Sequence, residues 1–219
     1  MNDQIEKLLF ERGADIVRFV DISGLPAEQT QGFPKAVIFC KALSKELIIA
    51  VRDGEKTGHE FADIEHETDM TADLLADYLI EKGYRAYSQS ENSNEQSGNY
   101  DEETLSSRLP HKTLALLARI GYIGKSDLLI TEKFGSAVSM CSVLTDAPVV
   151  PENYAVVSAG CGDCGICKGV CPGGVIFGNE WSEEVGRDGV VDVYKCECAL
   201  KCVVNCPKTL AYAEQGGEE

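Results

Sequence analysis

Positive charge is what this sequence of 219 residues most lacks: 20 lysines and arginines face 36 aspartates and glutamates, for a formal net charge of -16. Such a mean field repels phosphate backbones and anionic headgroups and favours basic partners, so neither nucleic acid nor membrane is expected as a direct partner. Long apolar runs are missing too. No stretch approaches the roughly 18 residues of a membrane span, and the opening MNDQIEKLLFERG is too acidic and too broken for a signal peptide, which reads as a cytoplasmic protein. Tryptophan occurs once, at Trp181, where packing beside the cysteine-rich region is expected rather than ligand recognition. What is present suffices for a real core: 44% of residues are apolar, enough for one large domain or two unequal ones.

Periodicity sets out the first two thirds of the chain. Ile5, Leu8 and Leu9 stand at helical spacing before Gly13, a natural stop. ADIVRFVDI and KAVIFCKAL read as strands, and ELIIAV as a third before the Asp53-Gly54 turn. Apolar positions from His59 to Lys82 suit a long amphipathic helix ended by Gly83. Residues 88–101, SQSENSNEQSGNYD, are polar and predict a mobile surface loop of the kind that acts as a lid. A helix follows Pro110 and ends before Gly121, and SAVSMCSVLT reads as a buried strand. After Pro148 and Pro151 the composition shifts to glycine and cysteine, which places a boundary near residue 155 and divides the chain into 1–154 and 155–219.

Ten cysteines are many for a reducing compartment, and eight of them fall between Cys161 and Cys206. Clustered thiols there hold metal more often than they pair. CGDCGICKGVCP spaces Cys161, Cys164, Cys167 and Cys171 by two, two and three residues ahead of a proline, the bacterial-ferredoxin pattern for a [4Fe-4S] cluster. In that pattern the fourth cysteine serves a second cluster, and CECALKCVVNCP supplies the partner set Cys196, Cys198, Cys202 and Cys206. Crossed ligation then gives Cys161, Cys164, Cys167 and Cys206 to one cluster and Cys171, Cys196, Cys198 and Cys202 to the other. The second motif is spaced by one, three and three, so its iron-by-iron assignment stays open. Gly162 and Gly165 would let backbone N–H groups approach the sulfurs, and Ile166, Val170, Val175 and Ile176 would exclude water. Structural zinc is the competing chemistry, since four-cysteine zinc sites also use CxxC pairs, but it leaves the two CxxxCP endings unexplained. Cys40 and Cys141 lie in apolar strand patterns and read as buried hydrophobes.

IGYIGKSDLLI, residues 120–130, ends its glycine element like a phosphate-binding loop, but Arg119 stands where the first glycine belongs, and a helix leads into it rather than a strand. The longer run LPHKTLALLARIGYIGKSDLLITEKFGSAVSMCSVLTDAPV, followed by the cysteines and WSEEVGRDGVVDVYKC, resembles the epoxyqueuosine reductases and their shorter relatives over residues 83–207. The resemblance implies an α+β chain: a cobalamin-binding-like, nitroreductase-related α/β domain akin to that of those enzymes and of reductive dehalogenases, then a two-cluster ferredoxin-like domain. It also implies two [4Fe-4S] clusters passing electrons to a corrinoid, cobalamin, whose low-valent cobalt attacks the substrate. Gly121, Gly124, Lys125 and Ser126 would then face the macrocycle, the glycines by giving it room and the other two by binding its amides or phosphate. A tight turn with a solvated lysine is the plainer reading of the same letters.

Two departures shape the functional expectation. The resemblance calls for an aspartate proton donor shortly before the proline matching Pro110, yet residues 104–109 are TLSSRL. The sequence also has no length for the C-terminal helical domain that contacts transfer RNA in the full enzymes. A different, small-molecule substrate is therefore expected, with an electron donor or acceptor protein as partner. His111, beside the proline, is the candidate replacement acid, though a polar residue in a first helical turn explains it as well. His59 and His66, among Glu60, Asp63, Glu65 and Glu67, permit a metal site but miss the HExxH pattern, and a solvated acidic face is the simpler account. The competing function is electron transfer to a partner enzyme without catalysis by this chain.

Overall fold

The computed structural model describes residues 1–56, 61–155, 157 and 160–215. In chain order these form α1 (Asn2–Glu11), β1 (Ile16–Asp21), α2 (Ala27–Thr30), β2 (Lys35–Ala42), α3 (Lys45–Asp53), α4 (Phe61–Glu81), β3 (Ala86–Ser88) and α5 (Glu91–Gln96). There follow β4 (Tyr100–Asp101), β5 (Ser106–Ser107), α6 (His111–Leu117), β6 (Gly121–Ile123), β7 (Leu129–Thr131), β8 (Val138–Thr145), α7 (Ile166–Val170), a 3-10 turn (Val193–Lys195), α8 (Lys201–Val204) and α9 (Pro207–Glu214). Among the described residues no helix is long and apolar enough to cross a membrane.

Two compact units interleave in the sequence. The first comprises Met1–Lys41, Asp63–Arg119 and Ser139–Ala155; the second comprises Ala42–Ala62, Ile120–Val138 and Val156–Glu219. Compactness thus groups residues 42–62 and 120–138 with the cysteine-rich region, although both precede residue 155.

The first unit is built on a sheet of order β1-β2-β8-β3, with β1 antiparallel to β2 from Ile16↔Cys40 to Asp21↔Lys35 and β3 antiparallel to β8. Alternate residues Val17, Phe19, Val37, Phe39, Cys141 and Val143 share one core with Ile5 and Leu9 of α1 and Ala72, Leu75, Ala76 and Leu79 of α4. Those α4 positions recur at the spacing of one helical face, and burying it is what holds an otherwise acidic helix on the sheet. The opposite sheet residues Ala36, Ile38, Cys40 and Leu144 are also fully buried, so both faces are covered. That is why β2 carries the continuous apolar run AVIFC.

Two expectations are corrected. ELIIAV lies in α3, not in a strand: the Ser44 hydroxyl accepts the Leu47 N–H at 3.1 Å as an N-cap, and Gly54 closes the helix in the left-handed conformation. Leu47, Ile48 and Val51 are its buried face. Residues 88–101 contain a helix, α5, rather than forming a loop throughout. Ser90 caps α5, its hydroxyl donates to Asp73 Oδ1 at 2.7 Å, and the Glu91 N–H donates to Asp69 Oδ2 at 2.9 Å. The long helix is seen from Phe61, and His59 and Glu60 lie outside the described residues.

Candidate metal centre

The second unit carries all eight clustered cysteines. Around the first motif the chain turns tightly, with the Cys164 N–H donating to the Cys161 carbonyl at 2.9 Å and Gly162 in the left-handed region at φ 47°. Cys167 sits in the single turn of α7, and Cys171 ends that helix in an extended conformation. Cys206 returns from far along the sequence because α9 is anchored beside it. Cys206 is the N-cap of α9 and Pro207 takes the first helical position, where a missing N–H costs nothing. Thr209 accepts the Ser136 N–H at 3.1 Å, Phe134 and Tyr212 meet edge to face at 5.0 Å, and the Tyr212 hydroxyl donates to the Leu43 carbonyl at 3.2 Å.

The result is a neighbourhood of four thiols. Burial pushes the Cys167 thiol above its ordinary value, the Lys168 N–H opposes this, and the charges of Cys161, Cys164 and Cys206 add to the rise. Cys202 is pushed up to about 12, by burial first and then by Cys196, Cys167 and Cys171. Cys202 and Cys171, with Cys167, also pack on an apolar cluster of Val175, Ile176 and Val191. The second motif contains two left-handed non-glycine residues, Cys198 at φ 49° and Leu200 at φ 53°. Such conformations cost about 1–3 kcal/mol each and persist where the surroundings fix them. Among the described residues no three His, Cys, Asp or Glu side chains gather closely enough for a single metal ion. Val175 and Ile176 are buried as expected, whereas Ile166 is 42% exposed and shields little.

The glycine-lysine stretch forms the β6–β7 hairpin of the same unit, with Gly121 opposite Thr131. Gly121 leaves no spare room: a Cβ there would collide with the Ile130 carbonyl. At Gly124 a Cβ would stand 2.8 Å from Ile130 Cγ1 and 3.4 Å from Cys161 Sγ, so the absent side chain makes room for the chain's own packing. Lys125 Nζ donates to the Gly162 carbonyl at 2.5 Å, a bond into the first cysteine motif. Ser126 is half-buried in the turn between the two strands. Tyr122, which sequence reasoning passed over, brings its hydroxyl beside the first motif, where a Cβ on Gly160 would lie 3.8 Å from it. Burial, and then the nearby Cys161, push its phenol up to about 12.

His111 lies in the first unit, at the start of α6. Its Nδ1 is 2.9 Å from Ser142 Oγ, which donates to Gln89 Oε1 at 2.8 Å, while Gln89 Nε2 donates to the Leu109 carbonyl at 2.8 Å. With the serine proton committed to Gln89, the imidazole carries its hydrogen on Nδ1 and leaves Nε2 as an acceptor. Burial pulls its pKa down to about 4, so the ring is neutral at pH 7 and not a ready proton donor. Gln89 and Ser142 give no sequence signal for this role. In the β4–β5 hairpin that precedes α6, Asp101 pairs with Ser106. Hydrogen bonds from Thr104 and Glu103 keep Asp101 below the usual carboxylate range, which also disfavours it as an acid. Cys40 and Cys141 are buried in the first unit, and His66 is exposed.

No family model matches the chain. The epoxyqueuosine reductase of Listeria monocytogenes is 41% identical over 61 residues, which is 28% of this chain and 16% of that protein. That of Bacillus anthracis is 30% identical over 88 residues, 40% of this chain and 20% of its own length. A solved epoxyqueuosine reductase superposes over 96% of this chain and 67% of its own, with a TM-score of 0.59 at 17% identity. This chain is epoxyqueuosine reductase-like. The matched segments cover a fifth or less of those two curated relatives. A reductive dehalogenase described for B12-dependent dehalogenation shares the fold over 88% of this chain and 28% of its own, at a TM-score of 0.61 and 20% identity. The mixed α/β architecture expected from the sequence is therefore that of both groups of enzymes.

Proposed function

We propose that this chain is an iron-sulfur redox protein that passes electrons through two [4Fe-4S] clusters to a corrinoid or similar acceptor, on a substrate other than epoxyqueuosine. The observation that carries the reading is the pairing of distant cysteines. Cys206 lies near Cys161, Cys164 and Cys167, and Cys202 lies near Cys196, Cys167 and Cys171, so the two motifs meet in space as crossed ligation would need. A single tetrahedral zinc would draw its thiolates to about 3.8 Å from one another, given metal–sulfur bonds of about 2.3 Å. Each leg of a cubane binds a different iron, so its thiolates need not converge on one point. A bound cubane supplies one-electron storage and transfer.

Around it, the chain's residues each have a task. Val175, Ile176 and Val191 keep water from Cys171 and Cys202, and α9 delivers Cys206. We retain residues 155–219 as the ferredoxin-like segment that bears the ligands. The corrinoid rests on fold likeness alone, because Gly121, Gly124 and Lys125 are engaged within the chain, and no step is routed through it. That same engagement favours the second reading, electron delivery to a partner enzyme without catalysis here. One of the solved epoxyqueuosine reductases holds a tRNA stem loop, but a formal charge of -16 favours a small-molecule substrate or a basic protein for this chain.

Anaerobic purification with iron, sulfide and cobalt analysis tests the proposal. About eight irons per chain and cubane electron paramagnetic resonance signals after reduction are expected. Zinc in their place, or far fewer irons after reconstitution, overturns it. Cobalamin added to the reduced protein separates the two readings: a cobalt signal perturbed by the protein supports the corrinoid acceptor, and an unperturbed one supports electron delivery.

A further inference from the structure

The β6–β7 hairpin turns two polar groups toward one cysteine motif. The Tyr122 hydroxyl is close enough to Cys161 for the two groups to perturb each other. Lys125 Nζ donates at 2.5 Å to the carbonyl of Gly162, the residue next to it. Gly124 permits this approach, since a Cβ there would already stand 3.4 Å from Cys161 Sγ. Gly160, on the other side of Cys161, is near enough that its Cβ would lie 3.8 Å from the Tyr122 hydroxyl oxygen. One donor and one cation therefore stand beside Cys161, held by a hairpin whose strands pair from Gly121↔Thr131 to Ile123↔Leu129.

A hydrogen bond to a ligating sulfur and a nearby positive charge both favour the more negative state of an iron-sulfur centre, and both raise its reduction potential. We propose that Tyr122 and Lys125 are positioning residues that raise the potential of the cluster held by Cys161, Cys164, Cys167 and Cys206, leaving the cluster of Cys171, Cys196, Cys198 and Cys202 untouched. The hairpin thereby separates the two centres in energy. One electron from an external reductant enters per cluster, no bond breaks, and the phenol keeps its proton. This inference rests on the two-cluster reading above.

The test is an anaerobic redox titration of the full chain with dithionite, followed by electron paramagnetic resonance, for wild type, Tyr122→Phe and Lys125→Gln. Tyr122→Phe keeps the ring and removes only the donor. It is expected to lower the reduction equilibrium constant of one cluster roughly tenfold, about 59 mV for one electron, at unchanged iron content. Lys125→Gln is expected to shift the same wave in the same direction, and Cys164→Ser to alter that wave and not the other. Both waves unmoved in a variant with full iron overturns the inference while leaving the two-cluster reading intact, as does an equal shift of both waves. If Tyr122→Phe loses iron, Lys125→Gln decides by the same criteria. A wild-type chain with no cubane signal overturns the two-cluster reading itself, and the inference with it.

Discussion

Gly135→Ala tests whether Cys206 is delivered by the docking of α9. Gly135 adopts φ 58°, and a Cβ there would lie 2.6 Å from the Lys208 carbonyl carbon and 2.8 Å from Thr209 Cα, backbone atoms of the first turn of α9. Two costs add. A left-handed alanine costs about 1–2 kcal/mol, and forcing a methyl group against packed backbone costs about 1–3 kcal/mol. The expected destabilisation is therefore about 2–5 kcal/mol, relieved only if α9 moves outward and takes its N-cap, Cys206, with it. Gly54→Ala is the matched control, because Gly54 is also left-handed, at φ 83°, but has nothing within 4 Å of its would-be Cβ. It should pay the conformational cost alone. Anaerobic reconstitution reads the difference: Gly54→Ala should hold about eight irons, and Gly135→Ala about four, since the cluster that needs Cys206 would have three legs. Equal iron content and equal urea stability in the two variants would refute the linkage between α9 and the first motif.

Two further outcomes follow from burial. Because the pKa of His111 falls to about 4 in the folded state against about 6.5 unfolded, the unfolded chain binds the extra proton between those values. Stability should rise with pH across that window and be lost as pH falls toward 4, by up to about 3 kcal/mol; urea melts of His111→Asn should show this slope flattened. Burial pushes the Cys40 thiol up to about 12, and burial with Asp69 pushes Cys141 well above its usual value. Since the thiolate is the reactive form, mass spectrometry of the alkylated apoprotein should find both unmodified under native conditions and modified in urea.

The parts legible in the sequence are those where chemistry or periodicity is local. The spacing Cys161, Cys164, Cys167, Cys171 is set by one turn of chain around a metal-sized object, and α1, β1, β2 and α4 follow their apolar periods. ELIIAV misled because its apolar residues fit either a short strand or one helical face; Ser44, one step before Lys45, was the deciding signal. SQSENSNEQSGNYD looked loose because its partners are distant: Asp69 and Asp73 on α4 hold the start of α5, and no local pattern reports them. The role of IGYIGKS was hidden for the same reason, since Tyr122, Gly124 and Lys125 act on residues nearly forty positions away.

The second unit draws on three separated stretches, Ala42–Ala62, Ile120–Val138 and Val156–Glu219. A ferredoxin-sized fragment cut at residue 155 would leave behind the helix on which Lys201 rests its ammonium, through the Val51 carbonyl at 2.6 Å, and the loop that seats Thr209. During synthesis, the earliest thiols to emerge would find their last partner only after α9 is released from the ribosome. On the two-cluster proposal, maturation of the metal centre would be tied to completion of this part of the chain, and premature iron loading would give an incompletely ligated product.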